Sequence, residues 1–422
     1  MSGALPFKLV SADSHIVEPP DLWTKHIDRR FLDRAPRFVR GGPEAGDGFV
    51  CEGLLRGQTA GVGLVATKRK YANPEVYDFG GPGQWEQVPE ASWDPDERIR
   101  ELDREGIEAE LIYTSFGLIM YTIEDREFRY ACFRAFNDWL AEFCAASPKR
   151  LFGIAMIPTD DVARDVAELE RCAKMGLRGA MIAIGQESGE GYQHSRFEPI
   201  WDAAEALAMP ISLHTAASET DFTMTGNMFV DFSCGFTPTM YTVANMIFTG
   251  LLDRHPKLKV ISVENDASWP LPILERMDDR WKHDQIWAPP ESGDTITSGR
   301  KPSQIFHDQV AATFMRDRTA ILSREIIGRR NIMWGSDYPH FDGAWPNSQA
   351  VLAAQFAGVP EEDQRRIGRE NIMWGSDYPH FDGAWPDSAG DLASQFDGVP
   401  LEDQKRIGRT NAIKFYDLPI AS

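Results

Sequence analysis

Cysteine is scarce in this sequence, and no two cysteines are spaced as a pair. Cys51, Cys132, Cys144, Cys172 and Cys234 are scattered, with an odd total and no CxxC. A disulfide framework is therefore not expected, and a reducing cytoplasm is. Three of them, Cys132, Cys144 and Cys172, fall on helical patterns and read as small core residues. Basic charge is also in deficit: 44 Lys and Arg against 64 Asp and Glu leave a formal −20. Nucleic acid and anionic membrane both require basic surface, so neither is an expected partner. No apolar run approaches membrane-spanning length. The opening MSGALPFKLVSADSH lacks a basic stretch followed by an apolar signal core. What remains is a soluble intracellular protein of one large domain or two medium ones.

What is present is a repeat. NIMWGSDYPHFDGAWP at 331–346 returns letter for letter at 371–386. Each copy runs through Ile-Met-Trp, turns at glycine and presents an aspartate, Asp337 or Asp377. A buried strand ending in Gly-Ser-Asp puts a carboxylate at its C-terminal tip, where parallel α/β folds place their chemistry. The plainer reading is a strand followed by a polar turn. Ile-Gly-Arg-x-Asn occurs at 327–331, 367–371 and 407–411, so recombination between the outer two gives tandem copies at 331–370 and 371–410.

The helical halves of the copies differ. Val351 corresponds to Asp391 and Ala357 to Asp397, and burying an unpaired carboxylate is costly. The first copy, with Asp337 and His340, is therefore expected in the fold. Against this, Glu361 corresponds to Leu401, and the second copy alone leads directly into the C-terminus. The spare copy, with Asp377 and His380, is expected on the flank of the fold or at a subunit contact.

Along the chain, Phe7–Ala12 is an apolar run leading to Asp13 and His15, which share one side of a strand. Residues 29–93 are poor in periodicity and rich in Gly and Pro, too long for an ordinary loop, and read as a cap inserted after the first strand. Strands are then expected at Ile107–Ser115, Phe152–Pro158, Leu177–Ile184, Pro210–His214, Lys259–Glu264 and Val310–Phe314, with the repeat supplying the eighth. Helices are expected at Asp94–Arg104, Glu124–Ala146, Val162–Lys174, Phe197–Leu207, Tyr241–Leu252, Pro270–Trp281 and Thr319–Ile327. Eight strand–helix units over a core of roughly 250 residues have the rhythm of a TIM barrel. A doubly wound sheet is the alternative, but no Gly-rich phosphate loop follows the first strand. The whole of 1–422 then forms one barrel, with the insertion and the extra copy taking up the excess length.

The strand ends collect Asp13 and His15, His214, Glu264, and Asp337 or Asp377. Two imidazoles and two carboxylates at one barrel mouth make a nitrogen and oxygen ligand set for a divalent first-row metal. A lone D-x-H pair is common by chance; its weight comes from Asp13, His15, His214 and the repeat aspartate gathering at the same end of their strands. Of the other histidines, His255 reads as a helix C-cap, His283 as surface, and His26 and His307 have no evident partner. His194 follows strand four. His340 lies three positions after Asp337, near enough to touch substrate or a ligand.

With these residues assembled, the chain resembles the amidohydrolase superfamily, in the amidohydrolase-related branch that includes the aminocarboxymuconate-semialdehyde and γ-resorcylate decarboxylases. DSHIVEPPDLW, SLHT around His214, MWGSDYPH and the closing NAIKFYDL carry the resemblance over nearly the whole chain. It implies that Asp13, His15, His214 and the strand-eight aspartate bind one divalent ion, zinc or manganese, in a protein that assembles as a homodimer or larger. The branch's decarboxylases carry a histidine at the end of strand six that works with the strand-eight aspartate. Here VISVENDASWP puts Glu264 there instead.

These residues lead first to a metal-dependent hydrolase of a small aromatic or carbonyl-containing substrate. A metal-bound water would be the nucleophile, with Asp337 as ligand and general base and Glu264 or His340 as acid. Tyr113, Trp269 and Trp345 would shape the pocket. The alternative is a non-oxidative decarboxylase of an aromatic carboxylic acid, favoured by the family and opposed by the missing histidine. A third reading is a non-catalytic binding protein disabled by the duplication.

Overall fold

The computed structural model describes residues 5–54, 59–73, 82–185, 191–219, 226–283 and 295–370. In chain order the strands are β1 (Leu9–His15), β2 (Arg37–Val39), β3 (Gly48–Val50), β4 (Thr59–Gly61), β5 (Ile107–Tyr113), β6 (Leu151–Met156), β7 (Gly179–Ile182), β8 (Ile211–His214), β9 (Val260–Val263), β10 (Val310–Phe314) and β11 (Ile332–Trp334). Strands β1 and β5 to β11 form one eight-stranded sheet in that order, and every registered pair in it is parallel. Beyond β11 the chain returns to β1: Asp337 N–H donates to Asp13 O at 2.9 Å and His15 N–H to Tyr338 O at 2.6 Å. These bonds draw the two ends of the sheet together into a (β/α)8 barrel.

Fully buried runs such as VISV in β9 and ISLH in β8 make the strands, as expected where helices cover the outer face. The helices begin on acidic caps. Asp94 accepts from the N–H groups of Asp96 and Glu97 ahead of Pro95–Glu105, which ends at left-handed Gly106. Asp125 accepts from Phe128 N–H to open Arg126–Ala145, and Asp161 from Arg164 N–H to open Val162–Lys174. Each such cap is worth about 1 kcal/mol. The long helix buries Phe128, Cys132, Phe133, Phe136, Leu140 and Phe143, at ~1.5–3 kcal/mol for each large apolar side chain. Cys132, Cys144 and Cys172 are buried free thiols in these helices.

The first strand carries Asp13 and His15 as expected, with Tyr113 on one side and Tyr338 on the other as backbone partners. Two local expectations differ from the fold. The expected helix Tyr241–Leu252 is instead Phe236–Phe248 followed by Leu251–Arg254, with left-handed Gly250 between them. Thr319–Ile327 is likewise two turns, Arg318–Leu322 and Arg324–Ile327, parted at Ser323.

Within 29–93, β2, β3 and β4 form a small antiparallel sheet, invisible to periodicity because each strand has three residues. Its Phe49 stacks on Phe116 with centroids 4.9 Å apart. The segment rests on the loop after β11: Thr67 Oγ1 donates to Pro339 O at 2.9 Å, and Lys70 Nζ to Phe341 O and Gly343 O, each at 3.0 Å. No described helix is long and apolar enough to cross a membrane. Asp377, His380 and the rest of the second copy lie outside the described residues.

Candidate metal centre

Asp13 and His15 project from the end of β1, His214 from the end of β8, Glu264 from just past β9, and Asp337 and His340 from the loop after β11. Local backbone aims two of the carboxylates. Glu264 (φ 56°) and Asp337 (φ 52°) both sit in the left-handed region, which non-glycine residues adopt at a cost of about 1–3 kcal/mol and mainly where function requires it. Gly335 lets β11 approach closely, since a Cβ there would come within 2.4 Å of Asp13 Cβ.

The two imidazoles are held in one tautomer. His15 Nδ1 is 2.7 Å from Thr114 O, and His214 Nδ1 is 2.7 Å from Thr215 O. A carbonyl can only accept, so both Nδ1 atoms carry protons and both Nε2 atoms, in the neutral rings, present lone pairs. Those Nε2 atoms face each other at 3.2 Å. Around them lie Asp13 Oδ1, at 3.5 Å from His15 and 3.6 Å from His214, Asp337 Oδ1 at 3.4 Å from His15, and Glu264 Oε2 at 3.6 Å from His214. The carboxylate spacings, 3.4 to 3.6 Å, all exceed good hydrogen bonds. Two facing lone pairs ringed by carboxylates repel unless a cation or proton sits among them.

The electrostatics agree. Burial, followed by the charge of Asp337, pushes the Glu264 carboxyl up, and burial, Asp342 and Asp13 push Asp337 up. Burial, with His340 beside it, pushes His15 down to about 3. Burial also works against ionisation of Asp13 and His214, but His15 and then His214 beside Asp13 lower its carboxyl, and Asp13 raises His214. Asp13 Oδ1 and Asp337 Oδ2 are buried without a hydrogen-bond partner. Orphaned oxygens of this kind beside aligned imidazoles fit a divalent cation with mixed nitrogen and oxygen ligands. Ligand atoms of Asp13, His15 and His214 lie within 4.8 Å of one another, as do those of His15, Glu264, Asp337 and His340. His15 belongs to both groups.

His340 is joined to the centre directly. Its Nδ1 is 2.8 Å from Asp337 Oδ1, and its Nε2 is 3.1 Å from Ser115 Oγ. The remaining expected residues fare differently. Tyr113 lies beneath the site, its ring 5.1 Å from that of His214 and its hydroxyl 3.0 Å from Ser212 Oγ. Trp269 is buried and donates to Ser262 Oγ at 3.2 Å. Trp345 is buried between Tyr71 and Tyr338. The two tryptophans are thus packing residues rather than pocket walls. His255 does cap a helix and pairs with Glu198 at 2.6 Å. His283 is exposed, and His307 Nε2 meets Ile326 O at 3.0 Å.

Sequence reasoning passed over Glu18, Thr114, Ser115 and Thr313. Thr313 donates to Asp13 Oδ2 at 3.4 Å and accepts from Glu264 N–H at 2.9 Å. The one available signal was Glu18, a carboxylate set between Ile16-Val17 and Pro19-Pro20.

Fold and site together define a (β/α)8 barrel with a candidate metal centre at the C-terminal ends of the strands. The amidohydrolase family model matches residues 25–372 and again 366–418, and the chain belongs to the amidohydrolase family. Among curated relatives, it is 26% identical over 334 residues to γ-resorcylate decarboxylase of Rhodococcus jostii, covering 72% of this chain and 95% of that one. It is 24% identical over 270 residues to 2-amino-3-carboxymuconate-6-semialdehyde decarboxylase of Dictyostelium discoideum, covering 60% and 68%. Among solved structures, 5-carboxyvanillate decarboxylase of Novosphingobium aromaticivorans, complexed with manganese, superposes with a TM-score of 0.62 at 17% identity, over 88% of this chain and 98% of that one.

Proposed function

We propose that this chain catalyses the non-oxidative decarboxylation of an aromatic carboxylic acid, with a divalent ion, manganese or zinc, held by Asp13, His15, His214 and Asp337. The observation that carries the reading is the 2.8 Å contact between His340 Nδ1 and Asp337 Oδ1. The absence of a strand-six histidine argued against decarboxylation. His340 supplies an imidazole partner to the strand-eight aspartate from the loop after β11. The decarboxylase names of both curated relatives support the same reading, which therefore displaces hydrolysis as the first choice.

A bound divalent ion would offset the negative charge of the substrate's carboxylate and neighbouring oxygen. The protein's own groups handle the proton. Ser115 orients His340, which in turn holds Asp337. A proton carried by the Asp337–His340 pair adds to the ring carbon that bears the carboxylate. The bond from that carbon to the carboxylate breaks, its electrons restore the aromatic ring, and CO₂ leaves. One proton is consumed for each CO₂ released.

The test is CO₂ release from γ-resorcylate and 5-carboxyvanillate, run in D₂O, where a single deuterium should enter the product at the vacated carbon. His340→Asn should reduce kcat by about 10²–10⁴-fold, the usual worth of a general acid, while metal content is retained. Failure of every aromatic acid to release CO₂ would remove the proposal. One observation favours hydrolysis as the second reading: Glu264 stands 3.6 Å from His214, where a carboxyl could take a proton from water. Solvent ¹⁸O in the products of ester, amide or lactone substrates would establish that alternative.

A further inference from the structure

Glu18 belongs to no ligand set, yet it is fully buried. Its carboxylate is spent on one turn at the end of β5. Phe116 N–H donates to Oε2 at 3.0 Å and Gly117 N–H to Oε1 at 3.1 Å, and the Thr114 hydroxyl donates to Oε1 as well. Gly117 N–H also reaches Thr114 Oγ1 at 2.8 Å. The turn closes this tightly because position 117 is glycine, where a Cβ would meet Thr114 Oγ1 at 2.3 Å.

The same turn orients both halves of the site. Thr114 O receives His15 Nδ1–H at 2.7 Å, which fixes the tautomer that turns Nε2 toward His214. Ser115, the next residue, meets His340 Nε2 at 3.1 Å and donates to Ile16 O at 2.7 Å. The Glu18 carboxylate therefore braces the peptide that aims the metal-facing imidazole and the side chain that aims the proton-handling one.

We propose that Glu18 is a positioning residue for this centre: by pinning the turn Thr114–Gly117 it sets the orientation of His15 and His340 together. This rests on the metal-centre reading above. A carboxylate is required because three donors converge on it. In Glu18→Gln one end of the side chain becomes an NH₂ group and faces a donor whichever way the amide is turned. Groups that orient a ligating imidazole typically change metal affinity by 10–100-fold when removed.

The experiment is a Mn²⁺ titration of the full chain, wild type against Glu18→Gln, Glu18→Asp and Thr114→Val, with thermal unfolding of each metal-free protein. The expected result is at least tenfold weaker Mn²⁺ binding by Glu18→Gln, partial recovery in Glu18→Asp, and several-fold weakening in Thr114→Val, which loses one donor to the carboxylate. Wild-type Mn²⁺ affinity in a folded Glu18→Gln protein would overturn the proposal. If Glu18→Gln does not fold, unchanged affinity in Thr114→Val overturns it instead. A wild-type protein that takes up no Mn²⁺ overturns the metal reading itself, and this inference with it.

Discussion

His15 Nε2 and His214 Nε2 stand 3.2 Å apart while each ring commits its Nδ1 proton to a backbone carbonyl at 2.7 Å. In two neutral rings so held, neither nitrogen of the facing pair can donate to the other. A cation coordinated by both rings would remove the repulsion, and the proposed metal would then couple binding to folding at this point.

The first prediction is a metal-dependent melting temperature. At free Mn²⁺ or Zn²⁺ a hundredfold above Kd, stability should rise by about 2.7 kcal/mol, and a chelator should reverse the gain. His214→Ala should abolish the response in calorimetry, since it removes one of the two facing nitrogens.

The second concerns the duplicated aspartates. Asp337 is the one placed among His15, Glu264 and His340. Asp337→Ala should lose bound metal, and Asp377→Ala should keep it, as measured by metal analysis of purified protein. The reverse outcome would show that the second copy builds the site.

A third uses the repeat as an internal substitution. The buried positions of the first copy's helical half, Ser348, Leu352, Phe356, Val359, Asp363 and Ile367, recur unchanged as Ser388, Leu392, Phe396, Val399, Asp403 and Ile407. The differences, such as Val351 to Asp391 and Ala357 to Asp397, fall where the first copy is half-buried or exposed. Deleting 331–370 should therefore give a folded protein that still binds Mn²⁺. Its melting temperature should be modestly lower, because Ala389 lacks the amide with which Gln349 holds Leu5 N–H and Gly106 O. An unfolded deletion variant would contradict the equivalence of the copies.

A fourth addresses a buried ion pair. Arg98 grips Glu110 with Nε at 2.6 Å and Nη2 at 3.0 Å, and its guanidinium lies 4.5 Å from the centroid of the Tyr338 ring. Arg98→Met strands the Glu110 carboxylate, and breaking such a pair costs about 3–5 kcal/mol. Denaturant unfolding should show that loss. Arg98→Met combined with Glu110→Gln should recover part of it.

The last concerns pH. Burial, then the charge of Asp160, raises the Asp165 carboxyl from 3.8 to about 8. A carboxyl raised in the fold contributes stability at low pH, which is lost as pH climbs from its unfolded value through its folded one. The stability difference between Asp165→Asn and wild type should therefore move in favour of the variant between about pH 4 and about pH 8 and then level off. A difference independent of pH would show that Asp165 is already ionised in the fold.

Much of this was legible in the sequence. Eight strand–helix units, the aspartate-bearing turn and the D-x-H pair are local patterns, written in apolar periodicity and in residues a few positions apart. Strand ends with His214 and Glu264 follow from the same rhythm. What the sequence could not carry was contact between distant segments. The bond from His15 N–H to Tyr338 O joins the first strand to the loop after the last across more than three hundred positions, and no local propensity encodes it. The three-residue strands of the insertion are too short to show a period. Trp269 and Trp345 look like pocket residues in one dimension and are packing residues in three. The chain alone named the chemistry available: carboxylates and imidazoles at the mouth of a barrel. Only tertiary structure decided their roles, because tautomer, lone-pair direction and the shared brace of Glu18 depend on which backbone carbonyl or hydroxyl the fold brings within 3 Å.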